Sequence, residues 1–333
     1  MILSQINTSN FSNISFPALG IDFNPPRGIS ITDDFSIQFY GIIIAIGLLL
    51  SVYYGLKRSR QFGLREDDIL DGVLWIVPLA IVCARLYYCI FEWDMYKDDP
   101  ISILYIWKGG LAIYGGVIGA AIGIVIFCLI KKVKLPAVLD LVAISFLIGQ
   151  SIGRWGNFFN REAFGAPTEF FLKMGLLNST NGITVYYHPT FLYESVWNAV
   201  GFVALHFLSK KRQYDGQMAL GYVAWYGLGR TFIEGLRMDS LYWGNLRVSQ
   251  VLAAATCFIA VAILLFMAFR KHDPAKLYGN VMAETLAAEA AAKAEKKACK
   301  CKKAKQEELP VEEVPTEEIP AEAAPAEEET TGQ

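Results

Sequence analysis

The sequence has few charged residues. Asp, Glu, Lys and Arg make up only 19% of its 333 residues, whereas 54% are hydrophobic. This composition is more apolar than that of an average soluble domain, and several apolar runs exceed the ~18 residues that are needed to cross a bilayer. The scarcity of charge therefore excludes an ordinary soluble domain and predicts a protein that crosses a membrane several times.

The sequence also has few cysteines and histidines at positions where they could form a disulfide, bind a metal or act in catalysis. Four of the six cysteines fall inside apolar runs, and Cys299 and Cys301 lie in a Lys-rich segment without a second pair of ligands. We therefore expect no structural disulfide and no metal site. Of the three histidines, only His188 is predicted to lie on the outer side of the membrane. We also expect no cofactor and no nucleic-acid partner.

The apolar runs predict an all-α polytopic membrane protein with about seven transmembrane helices. Their approximate bounds are 35–56, 69–91, 109–130, 136–153, 189–208, 217–236 and 248–269. Lys and Arg cluster after the first, third, fifth and seventh runs, whereas the intervening loops carry fewer cations. The positive-inside rule then predicts an N-terminus outside and a C-terminus in the cytoplasm.

The flanking segments define the predicted domain organisation. Residues 1–34 are polar, turn-rich and extracytoplasmic, and residues 35–271 form the membrane domain. Within that domain, residues 154–188 are predicted to form a small outer cap with a strand near 184–187. Residues 272–333 carry 8 Lys and 14 Asp or Glu, a net charge of −6. This acidic segment is expected to be a largely disordered cytoplasmic tail.

Polar residues converge where the fourth apolar run ends. Arg154, Asn157, Asn160 and Glu162 lie within a stretch that ends at Gly165. Arg154 and Asn157 are three apart, so they share a helix face. A single Arg at this position could simply extend to the membrane surface. Together with two Asn, a Glu and several Gly, however, it favours a site that binds something charged.

The sixth run carries charges in the middle of a predicted span. Tyr226, Arg230, Glu234 and Arg237 are spaced by four, four and three residues and form one helical stripe. Arg230 and Glu234 could merely neutralise each other, but Arg237 then remains as a second cation. Charges at such depth face protein or water and usually serve function. Because Arg holds phosphate by bidentate hydrogen bonds, a phospholipid phosphate is the natural ligand.

Three further residues are candidates by position and chemistry. His188 opens the fifth run and could titrate near neutral pH, although a capping or packing role is an equal alternative. Tyr40 and Tyr114 lie in Gly-containing segments of the first and third runs. Close helix packing explains those glycines. A buried Tyr hydroxyl nevertheless needs a partner, so both tyrosines are candidates to line the same cavity.

Together, these stretches resemble the motifs of the prolipoprotein diacylglyceryl transferases. The thirteen-residue match is Gly-Arg-x-Gly-Asn-apolar-apolar-Asn-x-Glu-x-x-Gly at 153–165. The other matching stretches are His-Pro-Thr-x-Leu-Tyr-Glu at 188–194, Tyr-Gly-x-x-Arg-x-x-x-Glu-x-x-Arg at 226–237, Gly-Gly-Leu-x-x-Tyr-Gly-Gly at 109–116 and Phe-Tyr-Gly at 39–41. The resemblance covers about residues 35–270, and the acidic tail lies outside it.

The resemblance implies a multi-pass enzyme of the bacterial cytoplasmic membrane. It would transfer the diacylglyceryl group of phosphatidylglycerol to the lipobox cysteine of prolipoprotein signal peptides, forming a thioether and releasing glycerol 1-phosphate, as the first step of lipoprotein maturation. Arg154 and Arg230 would bind the phosphate and stabilise it as it leaves. The other binding residues by motif position are Asn157, Asn160, Gly165, Tyr40, Tyr226, Glu234 and Arg237.

The general base cannot be copied from the family. Many members carry His where this chain has Tyr114, so Tyr114, Glu162 and His188 all stand as catalytic candidates beside the two arginines. A phospholipid transporter or flippase that uses the same buried charges is the alternative function. Transporters often contain paired, broken spans in repeated halves, and the sequence has no such pairing.

Overall fold

The computed structural model describes residues 11–30, 36–106, 109–238, 242–243, 246–288 and 290–292. Seven long helices make up most of this part of the chain. They are α1 Phe39–Arg58, α2 Glu66–Phe91, α3 Ile113–Lys131, α4 Leu135–Asn160, α5 Thr190–Leu208, α6 Gln217–Glu234 and α7 Val248–Ala268. Each helix corresponds to one predicted apolar run. The largest difference is at α4, which continues to Asn160 instead of ending near residue 153.

Within the described residues, six helices are long and apolar enough to cross a membrane: α1 to α5 and α7. Large apolar side chains on them point outward; Leu129 is 73% exposed and Phe258 75% exposed. Such surfaces suit a lipid environment, in which a helix satisfies its own backbone hydrogen bonds. The prediction of an all-α polytopic membrane protein is confirmed. Because α6 is not among the six, the count of seven spans stays a prediction.

Eight short strands accompany the helices within the residues that the structure describes. They are β1 Phe11–Phe16, β2 Ile21–Phe23, β3 Gly28–Ser30, β4 Ser36–Gln38, β5 Met174–Asn178, β6 Thr184–Tyr187, β7 Tyr242–Trp243 and β8 Leu246–Arg247. Four of them form an antiparallel sheet in the order β2-β1-β5-β6. The strand expected near 184–187 is present as β6. The segment predicted as a loop before residue 34 differs from expectation, because β1 pairs with β5, Ile14 lying opposite Leu176.

An aromatic core attaches this sheet to one end of the helix bundle. Phe16 of β1 stacks on Phe158 near the end of α4, and Phe158 also contacts Phe191 at the start of α5. Phe11 and Ile14 of β1 are buried in the same cluster. We call this end of the bundle the sheet end. The opposite end, where α1 finishes at Arg58 and α6 begins, carries clustered Lys and Arg and is called the basic end.

The end of α4 is shaped by two residues with left-handed backbone. Arg161 and Ala163 have φ of 54° and 55°, which is uncommon for residues other than Gly. Arg161 caps the helix, and the N–H of Glu162 bonds to the carbonyl of Asn157 at 3.0 Å. The Arg161 side chain is 3% exposed and donates to the carbonyls of Ser12 and Pro25. The end of the thirteen-residue stretch 153–165 thus folds back, and Arg161 joins it to the N-terminal segment by hydrogen bonds.

Helix α4 lies at the centre of the bundle and packs on α1, α5 and α6. Gly47 of α1 and Gly149 of α4 allow these two helices to approach closely, since a Cβ at Gly47 would lie 3.3 Å from the Gly149 carbonyl oxygen. At the basic end, the buried Asp140 of α4 accepts hydrogen bonds from the backbone N–H of Met218 and Ala219 at 2.8 and 2.9 Å. This carboxylate caps the N-terminus of α6.

Part of the segment assigned to the tail packs with the bundle. One compact unit extends to Glu284 and a second begins at Thr285. Leu277 is 8% exposed, and Tyr278 packs against the buried cluster that contains Phe62. Residues 278–288 are helical. Residues 293–333, to which the prediction of disorder mainly applies, lie outside the described residues.

Candidate active site

The last turns of α4 provide the first part of the candidate site. Arg154 Nη1 donates to Asn157 Oδ1 at 3.4 Å, and Asn157 Nδ2 donates to Glu162 Oε1 at 2.9 Å. Asn160 Nδ2 lies 3.4 Å from the same Glu162 oxygen. The four polar residues that the sequence grouped by spacing therefore form one connected network. The left-handed turn after α4 is what brings Glu162 back to the two asparagines.

Glu194 of α5 is the centre of the site. Its side chain is 5% exposed and contacts three guanidinium groups. Arg154 Nη2 lies 2.5 Å from Oε2, Arg230 Nη1 2.9 Å from Oε1, and Arg237 Nη1 3.4 Å from Oε1. These arginines come from α4, α6 and the segment after α6. One buried carboxylate therefore fixes the positions of cations from three separate parts of the chain.

The ion pairs around Glu194 contain more guanidinium groups than carboxylates. Arg230 Nη2 also pairs with Glu234 Oε2 at 2.6 Å, so three Arg face two carboxylates there, and Glu162 is joined to Arg154 through Asn157. The side chains of Arg154, Arg230 and Arg237 are 21%, 18% and 11% exposed. These guanidinium groups are thus largely desolvated, yet still reachable. Such an arrangement favours an anion that accepts charge-assisted hydrogen bonds.

The three motifs are joined through their backbones at Gly165. The N–H of Gly165 bonds to the His188 carbonyl at 2.9 Å, and the N–H of Ala166 bonds to the Leu236 carbonyl at 2.7 Å. Gly165 also forms an isolated bridge with Arg237. A Cβ at Gly165 would lie 2.7 Å from His188 Cβ and 2.9 Å from the Leu236 oxygen. The absence of a side chain at this position is therefore required for the motifs to meet.

A reciprocal tryptophan pair fixes the register of α5 against α6. The Trp197 and Trp225 rings stack with centroids 4.4 Å apart, and each indole N–H donates to the other's carbonyl, at 3.0 and 2.9 Å. Each ring also lies over a Gly of the opposite helix, where a Cβ would be 2.3 Å away at Gly201 and 2.2 Å away at Gly229. Glu194 lies three residues before Trp197, and Arg230 directly follows Gly229. The pair therefore sets the Glu194–Arg230 contact.

The tyrosines assigned to the cavity are placed differently from one another. The Tyr40 ring packs against Gly156, where a Cβ would lie 2.6 Å from Cδ2, and Tyr40 is within electrostatic range of Glu162 and Arg154. Tyr226 lies one turn before Arg230 and stacks on Tyr222 with a centroid distance of 5.7 Å. The structure thus brings Tyr40 close to residues of the 153–165 stretch, and it places Tyr226 on the helix that carries Arg230.

Two of the catalytic candidates lie away from the arginines. The side chain of His188 is half-buried, and its Nδ1 lies 3.3 Å from the Tyr193 hydroxyl. Burial lowers the pKa of His188 below its ordinary value of 6.5, which favours the neutral imidazole. Tyr114 is 54% exposed in the first turn of α3, which packs on α2. Among the described residues, no hydrogen bond or ion pair joins Tyr114 to the arginines.

The sequence interpretation missed several residues that organise the site. Glu194 was part of a recognised motif but was not assigned a role, although an acidic residue four positions into a span is itself a signal. Asp140 lies near one end of its apolar run, where a carboxylate by itself gives little indication of a role. The Trp197–Trp225 pair and the tether of Arg161 depend on contacts between distant segments, so no local pattern indicates them.

Comparisons with known proteins identify the family of the chain. The sequence model of the family "Prolipoprotein diacylglyceryl transferase" matches residues 26–267. A Listeria monocytogenes protein named phosphatidylglycerol–prolipoprotein diacylglyceryl transferase is 42% identical over 245 residues, which cover 72% of this chain and 88% of that protein. An Enterococcus faecalis protein of the same name is 42% identical over 289 residues, covering 84% and 96%. The chain therefore belongs to the prolipoprotein diacylglyceryl transferase family.

Proposed function

We propose that this chain transfers the diacylglyceryl group of phosphatidylglycerol to prolipoproteins. The observation that carries the proposal is the convergence of Arg154, Arg230 and Arg237 on Glu194. This is an anion site built into apolar helices, and the relatives at 42% identity are named as transferases of this kind. The chain is accordingly a transferase, and the alternative of a phospholipid flippase is not supported.

In the proposed reaction, Arg154 and Arg230 bind the phosphate of phosphatidylglycerol. Each guanidinium has five N–H donors, and the contact with Glu194 uses only some of them. The thiolate of the prolipoprotein cysteine attacks the glycerol carbon that bears the phosphate. The carbon–oxygen bond breaks, the oxygen keeps the electron pair, and glycerol 1-phosphate leaves. Prepositioned arginines stabilise the charge that develops on the departing phosphate.

The remaining candidates shape the pocket around that phosphate. Asn157 and Asn160 hold Glu162 beside Arg154, while Gly165 holds the backbone of the three motifs together. Tyr40 would close the side that faces Glu162. On α6 and after it, Glu234 and Arg237 complete the ion-pair network, with Tyr226 one turn away from Arg230. We assign these residues to binding of the phosphatidylglycerol headgroup.

The acceptor thiol must lose a proton before it can attack. Glu162, His188 and Tyr114 are the candidate proton acceptors, and the geometry favours Glu162. It is connected to Arg154 through Asn157, with steps of 2.9 and 3.4 Å, so a carboxylate lies next to the proposed phosphate site. His188 is joined to the same region through backbone hydrogen bonds with Gly165 and Ala166. Tyr114 is mostly exposed on α3.

The proposed location is the bacterial cytoplasmic membrane. We place the sheet end on the outer side, with the N-terminus outside and the C-terminus in the cytoplasm. Support comes from the cations at the basic end, which follow α1, α3 and α5 as the positive-inside rule requires. Arg154 lies six residues before the end of α4, about 9 Å below it at 1.5 Å per residue. The phosphate site would thus serve the outer leaflet, where prolipoprotein signal peptides emerge.

The direct test is transfer by the purified full-length chain. The protein is mixed with phosphatidylglycerol micelles and a lipobox peptide, and mass spectrometry measures the addition of one diacylglyceryl group to the peptide cysteine. We expect that addition, together with release of glycerol phosphate. Peptide that stays unmodified, or a chain that moves a fluorescent phosphatidylglycerol across vesicles without any peptide adduct, would contradict the proposal.

A further inference from the structure

An apolar groove on the surface of the bundle runs from the basic end to Ile152, two residues before Arg154 on α4. It encloses about 330 Å³ between α1, α4 and α5. Leu50 and Tyr53 line it on α1, Ile148 and Ile152 on α4, and Phe202 on α5. Almost the entire wall is apolar. A groove of this kind on the lipid-facing side of a membrane protein suits a hydrocarbon chain.

The groove ends in a cationic mouth at the basic end. A second cavity of about 400 Å³ shares Tyr53 and Lys57 with the groove and is also lined by Arg60 and Glu66. Arg60 and Glu66 are 3.2 Å apart, with side chains 88% and 53% exposed. A pair so exposed is weak and does not prevent Arg60 from binding another anion. Among the described residues, no carboxylate lies within ion-pair distance of Lys57.

The neighbouring cation does not contribute to this mouth. Arg58 turns into the bundle, where its guanidinium lies 3.2 Å from His206 Nδ1 and 2.8 Å from Ser209 Oγ. Tyr54 is held inward as well, its hydroxyl 3.0 Å from the same His206 nitrogen. Lys57 therefore faces both the groove and the second cavity, Arg60 faces the second cavity alone, and Arg58 joins α1 to α5.

The position of the cations along α1 indicates which leaflet the headgroup end of the groove serves. From Leu50 to Lys57 the axial distance is about 10 Å at 1.5 Å per residue, which is less than the ~15 Å of hydrocarbon in one leaflet. Leu50 is already past the midpoint of α1, which starts at Phe39 at the sheet end. A chain anchored at Lys57 would thus lie in the leaflet at the basic end, opposite to the one served by Arg154.

We propose that this groove binds an anionic phospholipid of the leaflet at the basic end. One acyl chain lies between α1, α4 and α5, and the phosphate contacts Lys57 and Arg60. This lipid is separate from the donor lipid at the arginines and is not consumed. It holds together the three helices that carry Tyr40, Arg154 and Glu194 at their other ends. A zwitterionic phospholipid with the same acyl chains fills the groove equally well, but its headgroup binds the two cations more weakly.

The test compares two lipids with identical chains that are not donors, phosphatidic acid and phosphatidylcholine. Native mass spectrometry measures their binding to the full-length chain in detergent. We expect wild type to prefer phosphatidic acid. The double variant K57Q/R60Q should bind it about 30-fold more weakly, the order expected from two basic residues beside an anionic headgroup. The matched control K211Q/K271Q removes two exposed cations of the same end outside the groove and should bind like wild type.

Blocking the groove gives an independent test. Ala199 lines the groove and is exposed, so Ala199→Trp should reduce binding of both lipids. If the Ala199→Trp protein is not monodisperse, Ala199→Phe is used in its place. Equal binding of the two lipids to wild type, or unchanged binding in either class of variant, overturns the proposal. A raised KM for phosphatidylglycerol in Ala199→Trp, with phosphatidic acid binding unaltered, also overturns it and assigns the groove to the donor's chain. Transfer by K57Q/R60Q in phosphatidylglycerol micelles should equal that of wild type.

Discussion

Replacing Glu194 by Gln should destabilise the protein more than any other single charge removal among the three helices at the site. Gln has the same size, but it leaves the guanidinium groups of Arg154, Arg230 and Arg237 facing one another. Removing one partner of a buried ion pair costs about 3–5 kcal/mol. The Glu194 side chain is 5% exposed and its partners at most 21% exposed, so solvent screens little of this cost. Because Gln still accepts one hydrogen bond, we expect the lower value, about 3 kcal/mol.

The assay is thermal unfolding of the full-length protein in detergent, with and without glycerol 1-phosphate. A loss of about 1 kcal/mol lowers Tm by roughly 2–4 °C in a domain of 150–250 residues, so Glu194→Gln should melt several degrees lower. Glycerol 1-phosphate should then restore the stability of the variant, because its phosphate supplies the missing negative charge to the arginines. Saturating ligand stabilises by about 2.7 kcal/mol at a hundred times Kd. The ligand-induced increase in Tm should therefore be larger in the variant than in wild type.

The matched control is Glu169→Gln at the same end of the bundle. Glu169 also pairs with a cation, Lys173, but its side chain is 84% exposed. Exposed pairs contribute about 0–1 kcal/mol, so this variant should melt close to wild type. The reasoning is refuted if Glu194→Gln melts like the control, or if glycerol 1-phosphate raises its Tm by less than that of wild type.

Three further predictions test the phosphate contacts, the helix register and the titration of the outer histidine. Arg154→Ala and Arg230→Ala should each lower transfer by at least about 10²-fold, the usual loss for one donor to a developing charge, while the protein still expresses; normal turnover in either variant removes the phosphate assignment. Gly229→Ala brings a Cβ 2.2 Å from an indole nitrogen across the α5–α6 interface and should cost about 1–3 kcal/mol, whereas Gly116→Ala, with its nearest neighbour at 3.7 Å, should not; equal Tm values would contradict this. Burial lowers the pKa of His188 below 6.5, so the unfolded chain binds the proton more readily than the folded protein. Stability should therefore fall as the pH drops below about 6.5. His188→Gln should reduce this pH dependence of Tm, and identical Tm–pH curves for the variant and wild type would contradict the prediction.

The helices of this fold can be predicted from the sequence because lipid imposes a simple rule on them. Long apolar runs must satisfy their backbone internally, and the predicted limits of α1, α5 and α7 agree with the structure within a few residues. The end of α4 was not predictable in the same way. It depends on left-handed backbone at Arg161 and Ala163, residues that do not normally indicate such a turn. The pairing of β1 with β5 is equally hidden, because it joins segments far apart in the chain.

The sequence grouped several residues that the structure brings together, but it did not indicate the carboxylate at their centre. The spacing of Arg154, Asn157 and Arg230, together with the family resemblance, placed cations on the correct helices. That their guanidinium groups share Glu194 follows from the register of α5 on α6, which the stacked indoles determine. Sequence spacing describes neighbours on one helix. It contains no information about which faces of two helices meet. That the arginines share Glu194 could therefore be recognised only from the structure.

The low hydropathy of α6 has a consequence for how the protein is made. Arg230 lies four residues before the end of α6, and an Arg at the centre of a span costs about 2.5–3.5 kcal/mol on insertion scales. Of the seven long helices in the described part of the chain, α6 is the one that is not among the candidate spans. Its charge is balanced by Glu194, and its first turn is capped by Asp140. Both partners are synthesised earlier, on α5 and α4. We therefore expect α6, the predicted sixth span, to insert only after α4 and α5 are in place, and we expect loss of either acidic residue to reduce its insertion.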